Sequence, residues 1–154
     1  MRCAPLPEPF VFFCDRALGR CVVPKLIEEA GEEVRIHDEL FGQDTPDDVW
    51  LEAIGKKGWV ALTKDSAIRR NRLLIECVMT YKVPIFMVGR ADATGEDVGR
   101  CVVDALPSVK KALRRFRRPM VASVSLSSTV TVLHDRSGPL DKPCTIKVKP
   151  KKQT

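Results

Sequence analysis

Three aspartates are the residues most capable of chemistry, because each lies where a strand or loop is predicted to lead into a helix. Asp15 follows the apolar run 10–14. Asp47 directly precedes a helical pattern, and Asp65 follows the run 59–64. In an α/β sheet the carboxyl ends of neighbouring parallel strands share one crevice, and carboxylates gathered there repel one another unless a cation lies between them. Hard divalent ions bind such oxygens together with substrate phosphate, so the pattern predicts metal-assisted chemistry on a phosphodiester.

Two acidic residues, Asp48 and Asp65, could have a purely structural role as helix caps. Asp48 lies three residues after Thr45, which is the spacing of a capping box at the start of a helix. Asp65 could cap the helix that follows it. Asp15 is harder to explain in this way, because a carboxylate directly after a five-residue apolar strand needs a partner that offsets its desolvation. The choice between capping and metal binding therefore stays open for Asp48 and Asp65.

Basic side chains next to the aspartates could contact phosphate. Arg16 follows the first aspartate directly, and Lys64 and Arg69 flank the third. Cations at the start of a helix oppose the helix dipole, which favours a phosphate-binding role over a solvated helix start. Arg16 could equally form an ion pair with Asp15. As a lone histidine, His37 is predicted to be a hydrogen-bonded structural residue and not a base.

Charge is distributed unevenly along the 154 residues. The net charge of +6 comes from 26 Lys and Arg residues against 20 Asp and Glu residues. The basic excess lies in residues 109–118 and in the C-terminal segment, whereas residues 38–48 are acidic. An acidic pocket on a basic body suits a protein that attracts polyanions and cuts them with a metal ion. The alternative is that the basic runs are solvated helix faces and tails.

Cysteine and histidine usage argues against a zinc site. The six cysteines include no Cys-x-x-Cys pair, and the chain has only two histidines; both observations make a tetrahedral zinc site improbable. The first nine residues carry three prolines and no apolar stretch, so we expect no signal peptide. No segment approaches the roughly 20 apolar residues of a membrane span. We therefore expect a cytoplasmic protein in a reducing compartment.

A predicted alternation of strands and helices positions these residues. The pattern predicts strands at about 10–14, 33–37, 59–63 and 84–88 and helices at about 17–30, 46–56, 72–82, 95–105 and 107–117. Such alternation predicts an α/β fold, with three α/β/α layers around a mainly parallel sheet. Thr45 and Pro46 are predicted to be the N-cap and first residue of the second helix. Residues 121–133 alternate apolar side chains with Ser and Thr, which predicts a C-terminal strand or hairpin.

The end of the chain has a different composition. From His134 on it is polar, basic and proline-bearing, with few aliphatic side chains to bury. Such a segment cannot offset its ordering entropy by burial alone. We therefore divide the chain into a folded domain, 1–133, and a flexible basic tail, 134–154.

Three segments together resemble the PIN-like domain family, in the branch of the VapC-type toxins and near the Mut7-C and DUF5615-like proteins. The segments are Phe12-Phe13-Cys14-Asp15-Arg16-Ala17-Leu18-Gly19, then His37-Asp38 with Asp44-Thr45-Pro46-Asp47-Asp48-Val49-Trp50-Leu51, and Gly58-Trp59-Val60-Ala61-Leu62-Thr63-Lys64-Asp65. The resemblance covers about residues 10–133. Its most specific parts are the Asp-Arg-x-Leu-Gly and Thr-Lys-Asp segments.

The resemblance implies a divalent-metal ribonuclease, often the toxin of a toxin–antitoxin pair. The first acid of the family falls on Asp15 and its strand-end acid on Asp65. Its helix-start acid falls on Asp47, with Asp48 as a neighbour. The implied cofactor is Mg²⁺ or Mn²⁺, and the implied partners are RNA and a cognate antitoxin protein. A homodimer is left open.

The chain departs from the family pattern at one position of the site. Many relatives carry a further acid two residues beyond the strand-end aspartate, where this chain has Ala67. The difference leaves open whether one or two metal ions take part. With one metal ion, Arg16, Lys64 or Arg69 would supply the missing charge stabilisation.

Two other classes of protein share parts of this pattern. A non-catalytic binding module could hold RNA on its basic surface without cutting it. A receiver-like regulatory domain also has strand-end aspartates and a Thr-Lys strand end, but it needs paired acids after the first strand, where Asp15 is alone. Metal-dependent cleavage of RNA would separate the nuclease from the binding module.

Overall fold

Seven strands form one sheet in a computed structural model that describes residues 6–19, 21–64, 71–89 and 93–148. The strands are β1 (Val11–Cys14), β2 (Glu33–Ile36), β3 (Val60–Thr63), β4 (Pro84–Val88), β5 (Met120–Val124), β6 (Val130–Asp135) and β7 (Gly138–Thr145). Their order in the sheet is β2-β1-β3-β4-β5-β6-β7. The five strands from β2 to β5 are parallel, and β6 and β7 are antiparallel to their neighbours. The predicted C-terminal hairpin is therefore present as β5 and β6.

Helices cover both faces of the sheet. They are α1 (Val22–Glu29), α2 (His37–Leu40), α3 (Asp47–Lys57), α4 (Arg72–Thr80) and α5 (Gly95–Phe116), and a single 3-10 turn spans Arg16–Leu18. Helices α1 and α5 share one hydrophobic core with the sheet, and α3 and α4 share the other. This arrangement confirms the predicted three-layer α/β/α fold. Every helix in the described segments falls short of the length or hydrophobicity that crossing a membrane requires.

The central strands bury side chains on both faces of the sheet. In β1, Phe12 packs into the core below α1 and α5, whereas Phe13 packs into the core below α3 and α4. Both side chains are fully buried, as is typical of a parallel strand covered on both sides. The chain leaves β1 toward β2 on one side, and β3 lies on the other side, so a crevice opens at the carboxyl end of β1.

Close packing fixes helix α3 on its neighbours. Gly58 ends the helix in the left-handed conformation, with φ of 72°, and its N–H donates to the Gly55 carbonyl at 3.2 Å. Gly55 allows the Tyr81 backbone to approach so closely that a Cβ at this position would lie 2.3 Å from the Tyr81 carbonyl oxygen. This contact docks α3 against the end of α4 and so positions the first residue of α3, Asp47.

Three helix boundaries differ from the sequence predictions. Pro46 occupies the N-cap position of α3 without a side-chain capping bond, so the predicted assignment of Thr45 as N-cap and Pro46 as first helical residue is wrong. The capping-box alternative for Asp48 falls with it. The strand predicted at 33–37 ends at Ile36, and the short helix α2 follows it directly, where no helix was predicted. The predicted helix at 17–30 is divided into the 3-10 turn and α1, with Gly19 between them at φ of 76°. Glycine tolerates this conformation at little cost, so it permits the break.

The last helix is continuous through Pro107, where the sequence predicted two separate helices. A proline inside a helix loses one backbone hydrogen bond and normally bends or breaks the helix. Here the apolar face of α5 is buried on both sides of the proline, from Val98 and Val102 to Val109 and Leu113. That burial offsets the lost bond.

The folded part extends beyond Leu133, where the sequence predicted a flexible tail. Strand β6 continues to Asp135, and β7 pairs with it. The Ile146 N–H donates to the Val130 carbonyl at 2.9 Å, and the Ile146 side chain is buried in the core. Pairing with an existing strand satisfies the backbone hydrogen-bonding groups of a largely exposed segment. The sequence prediction considered only the number of aliphatic side chains and so did not include this contribution. The sufficiency of residues 1–133 for folding stays a prediction.

Candidate active site

Asp15 lies at the carboxyl end of β1, where the crevice opens. One oxygen, Oδ1, accepts the Arg16 backbone N–H at 2.6 Å, and Oδ2 accepts the Thr63 hydroxyl at 3.1 Å. Burial raises the pKa of the Asp15 carboxyl, and the nearby charge of Asp47 raises it further. The two hydrogen bonds and His37 oppose this shift in pKa. The carboxylate is thus held in a defined orientation but in surroundings that disfavour its charge.

Asp47 approaches the same crevice from helix α3. It is the first residue of the helix, and its Oδ1 accepts the Trp50 indole N–H at 2.9 Å. Asp15, His37 and Asp47 line one pocket of about 500 Å³. Residues 16–17 and 43–46 form the rest of its lining. The structure therefore brings together the first two of the three predicted aspartates.

Asp48 faces a different part of the surface. It lines a second pocket, between α3 and α4, together with Leu73, Leu74 and Tyr81. Asp47 borders both pockets. Consecutive residues of a helix point about 100° apart, so one of the two aspartates can face Asp15 while the other cannot.

The predicted basic residues have separate positions. Arg16 lines the Asp15 pocket, and its guanidinium donates to the Gln43 carbonyl. The Lys64 ammonium instead donates to the Ala93 carbonyl at 2.7 Å, just before the start of α5. Asp65 and Arg69 lie outside the described residues, so their predicted roles stay predictions. In the segments that the structure covers, no three His, Cys, Asp or Glu side chains gather as metal ligands.

Three residues of the site were not assigned to it by the sequence. Thr63 orients Asp15, and Trp50 contacts Asp47. A tryptophan three residues after an acid on a helix is a signal that could have identified Trp50, because such residues are neighbours on the helix surface. His37 is almost fully buried but lines the pocket, and its Nδ1 is 3.6 Å from the Asp38 Oδ1. Among the described residues neither of these two atoms has a hydrogen-bond partner.

The two carboxylates fit a hard divalent cation. Their oxygens are the donors that Mg²⁺ and Mn²⁺ prefer, and Mg²⁺ is commonly held by one or two carboxylates together with substrate phosphate. A cation would relieve the repulsion from Asp47 that contributes to the raised pKa of Asp15. The polar wall of the pocket leaves room for a phosphate group beside the carboxylates.

Comparison with known proteins agrees with this geometry. The family described as "PIN like domain" matches residues 10–90, which include both aspartates of the pocket. The chain is 33% identical over 125 residues to a protein of Mycobacterium tuberculosis named "Putative ribonuclease VapC45". The alignment covers 79% of this chain and 90% of that relative. No solved structure matches the chain significantly. A family match over more than half of the sequence, together with the identity to this relative, means that the chain belongs to the PIN-like domain family.

Proposed function

We propose that the chain is a divalent-metal-dependent endoribonuclease of the VapC type. The observation that carries the proposal is the pairing of Asp15 and Asp47 in one polar pocket at the carboxyl end of β1. Membership of the PIN-like domain family supports a metal-dependent nuclease, and a relative that spans most of the chain is named as a ribonuclease. The activity is hydrolysis of an RNA phosphodiester bond.

The carboxylates of Asp15, Asp47 and Asp65 would hold Mg²⁺ or Mn²⁺, with Asp48 as a neighbour of the principal ligand. When bound, the ion supplies a Lewis acid that activates water and polarises the phosphate. The protein contributes the orientation of the ligands. The Thr63 hydroxyl and the Arg16 N–H fix both oxygens of Asp15 before the ion arrives.

Basic side chains would bind the phosphate and stabilise the charge that develops on it. Arg16 is the strongest candidate, because it lines the pocket next to Asp15. Its planar guanidinium can bind two phosphate oxygens at once. Lys64 and Arg69 are assigned the same role from the sequence. The Lys64 ammonium would have to leave the Ala93 carbonyl to reach the phosphate, and Arg69 lies outside the described residues.

The expected partners follow from the family and the charge. A net charge of +6 attracts a polyanion such as RNA. VapC-type proteins imply a cognate antitoxin, which we expect to be encoded by an adjacent gene. We further propose that the protein acts in the cytoplasm, and a homodimer stays open as its assembled form.

The test is cleavage of single-stranded RNA by the purified protein with Mg²⁺, with Mn²⁺ and with EDTA. We expect cleavage with either ion, its loss on chelation, and a loss of at least about 100-fold in Asp15→Asn, as removal of a metal ligand implies. Cleavage that survives full chelation would contradict the metal mechanism. RNA binding without cleavage under any ion would favour the non-catalytic binding module.

A further inference from the structure

We infer that Trp50 is a positioning residue whose indole N–H holds the Asp47 carboxylate toward Asp15. This inference rests on the proposed function, because it assigns to Trp50 the task of preparing a metal ligand. The observation behind it is the 2.9 Å hydrogen bond from the Trp50 Nε1 to the Asp47 Oδ1. A hydrogen bond to a charged acceptor is about twice as strong as one between neutral groups.

The direction of the indole is fixed by its packing. Trp50 is 1% exposed. Its ring stacks on Phe13 with centroids 5.4 Å apart, and it meets the His37 ring nearly edge-on at 6.1 Å. Phe13 belongs to the central strand β1, so the donor is anchored to the strand that leads directly into Asp15. The Trp50 N–H is therefore a rigidly held hydrogen-bond donor for the exposed carboxylate of Asp47.

Asp47 needs a fixed hydrogen-bond partner because of its position at the surface. It is exposed, at the first residue of a helix, and it borders two pockets. Without a partner its carboxylate would sample several rotamers, and only some of them face Asp15. The hydrogen bond from Trp50 uses one acceptor position of the Asp47 Oδ1. The other oxygen, Oδ2, can then act as a metal ligand. Groups that orient a metal ligand in this way typically change metal affinity or activity 10- to 100-fold when removed.

The chain provides a matched control in Trp59. This residue also stacks on Phe13, with centroids 6.4 Å apart, but the charged groups next to its ring are the cations of Arg35 and Lys57. The chain has two tryptophans, so replacing either one leaves a single indole signal. We expect Trp50→Phe to weaken Mn²⁺ binding about 10-fold by calorimetry, and Trp59→Phe to bind Mn²⁺ as the wild type does.

A second measurement remains decisive if Trp50→Phe does not fold. In the Trp59→Phe protein, the one indole N–H resonance in a ¹H–¹⁵N spectrum belongs to Trp50. Adding Asp47→Asn should move this resonance, because it replaces the charged acceptor, whereas Asp48→Asn should leave it nearly in place. Mg²⁺, which is diamagnetic, should move the same resonance as it saturates the site.

The outcomes separate this inference from the proposed function. If Trp50→Phe folds and binds Mn²⁺ with wild-type affinity, or if Asp47→Asn does not move the indole resonance, the positioning role is overturned while the nuclease stands. If the wild-type protein neither binds Mn²⁺ nor cleaves RNA, the proposed function is overturned, and with it the role of Trp50.

Discussion

At the scale of single residues, Asp15 is destabilising as long as no cation is present. Its pKa is raised by burial and by Asp47, so the folded protein binds a proton at this site more tightly than the unfolded chain does. The contribution of Asp15 to the free energy of unfolding therefore falls as pH rises from the usual pKa of the carboxyl through its raised value. Above that window the penalty is complete.

We predict that Asp15→Asn raises the melting temperature of the metal-free protein at neutral pH. The variant keeps an oxygen acceptor for the Arg16 N–H and loses the buried charge. The expected gain is a few degrees, which corresponds to about 1 kcal/mol in a chain of this length. Thermal unfolding in EDTA at several pH values measures it, and the gain should shrink as the pH is lowered.

Excess Mn²⁺ should reverse this order of stability. A ligand that binds only the folded state stabilises it, so the ion should raise the melting temperature of the wild type and leave Asp15→Asn nearly unchanged. An Asp15→Asn protein that is less stable than the wild type in EDTA would mean that the Thr63 and Arg16 bonds outweigh the desolvation of the carboxylate.

A second residue-scale prediction compares the two adjacent aspartates of α3. Asp47 faces the Asp15 pocket and Asp48 faces the pocket between α3 and α4, so Asp47 should be the principal ligand. We expect Asp47→Asn to reduce RNA cleavage at least about 10-fold and Asp48→Asn to reduce it much less. Rates at saturating Mn²⁺, with melting temperatures as the folding control, measure this. The reverse order would mean that the helix start turns when the ion binds.

The sequence could predict that Asp15 and Asp47 lie in one crevice, because each one marks the boundary of a secondary-structure element. It could not predict that Thr63 orients Asp15, because that contact joins residues 48 positions apart in the chain. The burial of His37 against the pocket likewise depends on the aromatic cluster of Phe13, Phe41 and Trp50 that surrounds it. Such contacts exist only once β1, β3 and α3 have been assembled.

At the scale of elements, the position of Asp47 depends on how closely α3 packs against the end of α4. We predict that Gly55→Ala destabilises the protein by about 1–3 kcal/mol, although alanine is the better helix former. The added Cβ would lie 2.3 Å from the Tyr81 carbonyl oxygen, and a backbone atom cannot move aside easily. The effect should include weaker Mn²⁺ binding, because α3 shifts. Urea unfolding and calorimetry measure the two effects.

Gly99→Ala provides the matched control for this prediction. Its added Cβ would lie 2.5 Å from a terminal methyl carbon of Leu26, which is a flexible side chain that can rotate away. We expect this variant to lose less stability than Gly55→Ala and to keep wild-type Mn²⁺ affinity, because α5 contributes no residue to the pocket. Equal losses of stability and of Mn²⁺ affinity in the two variants would contradict the role given to the close contact between Gly55 and the Tyr81 backbone.

Helices and strands could be predicted from the sequence where a local pattern of residues determines them, and not where contacts with distant parts of the chain do. The apolar run Pro84–Val88 was predicted with both ends correct, because burial on both faces and flanking loops define such a strand locally. The continuity of α5 through Pro107 depends on tertiary burial of its apolar face, which no local pattern contains. Strand β7 was missed for the same reason, since pairing with β6 is what orders it.

At the scale of the whole molecule, the basic run and the pocket lie at opposite ends of the sheet. Arg114, near the end of α5, pairs with Glu8 just before β1, whereas Asp15 follows β1 directly. An RNA strand bound at the pocket therefore has to extend across the protein to reach this basic run. The basic run should contribute to binding through electrostatic attraction to the RNA backbone and not through recognition of bases.

We predict that ending the chain after Val148 leaves stability unchanged and flattens the salt dependence of RNA affinity. The removed residues contain Lys149, Lys151 and Lys152, and each phosphate contact contributes about 0.7 to the salt slope for single strands. Binding isotherms between about 50 and 200 mM salt measure the slope. An unchanged slope would remove these lysines from the RNA contact.

Ending the chain after Leu133 tests the proposed boundary of the folded domain. This truncation removes β7 and the buried Ile146 side chain, so the structure favours a loss of melting temperature over the stable 1–133 domain that the composition predicts. A protein of residues 1–133 with wild-type stability would show that the domain is complete without them, as the composition of the chain suggested.

The strands at the two edges of the sheet also restrict how this protein can meet another chain. Strand β2 at one edge has four residues, and β7 at the other carries Pro139, Asp141, Lys142 and Pro143. Short edges, charges and prolines all prevent a foreign strand from adding to a sheet. Aggregation through strand addition is therefore suppressed at both edges, although the sheet itself is long. A partner protein or a second copy would therefore have to bind helices and loops instead of the edges of the sheet.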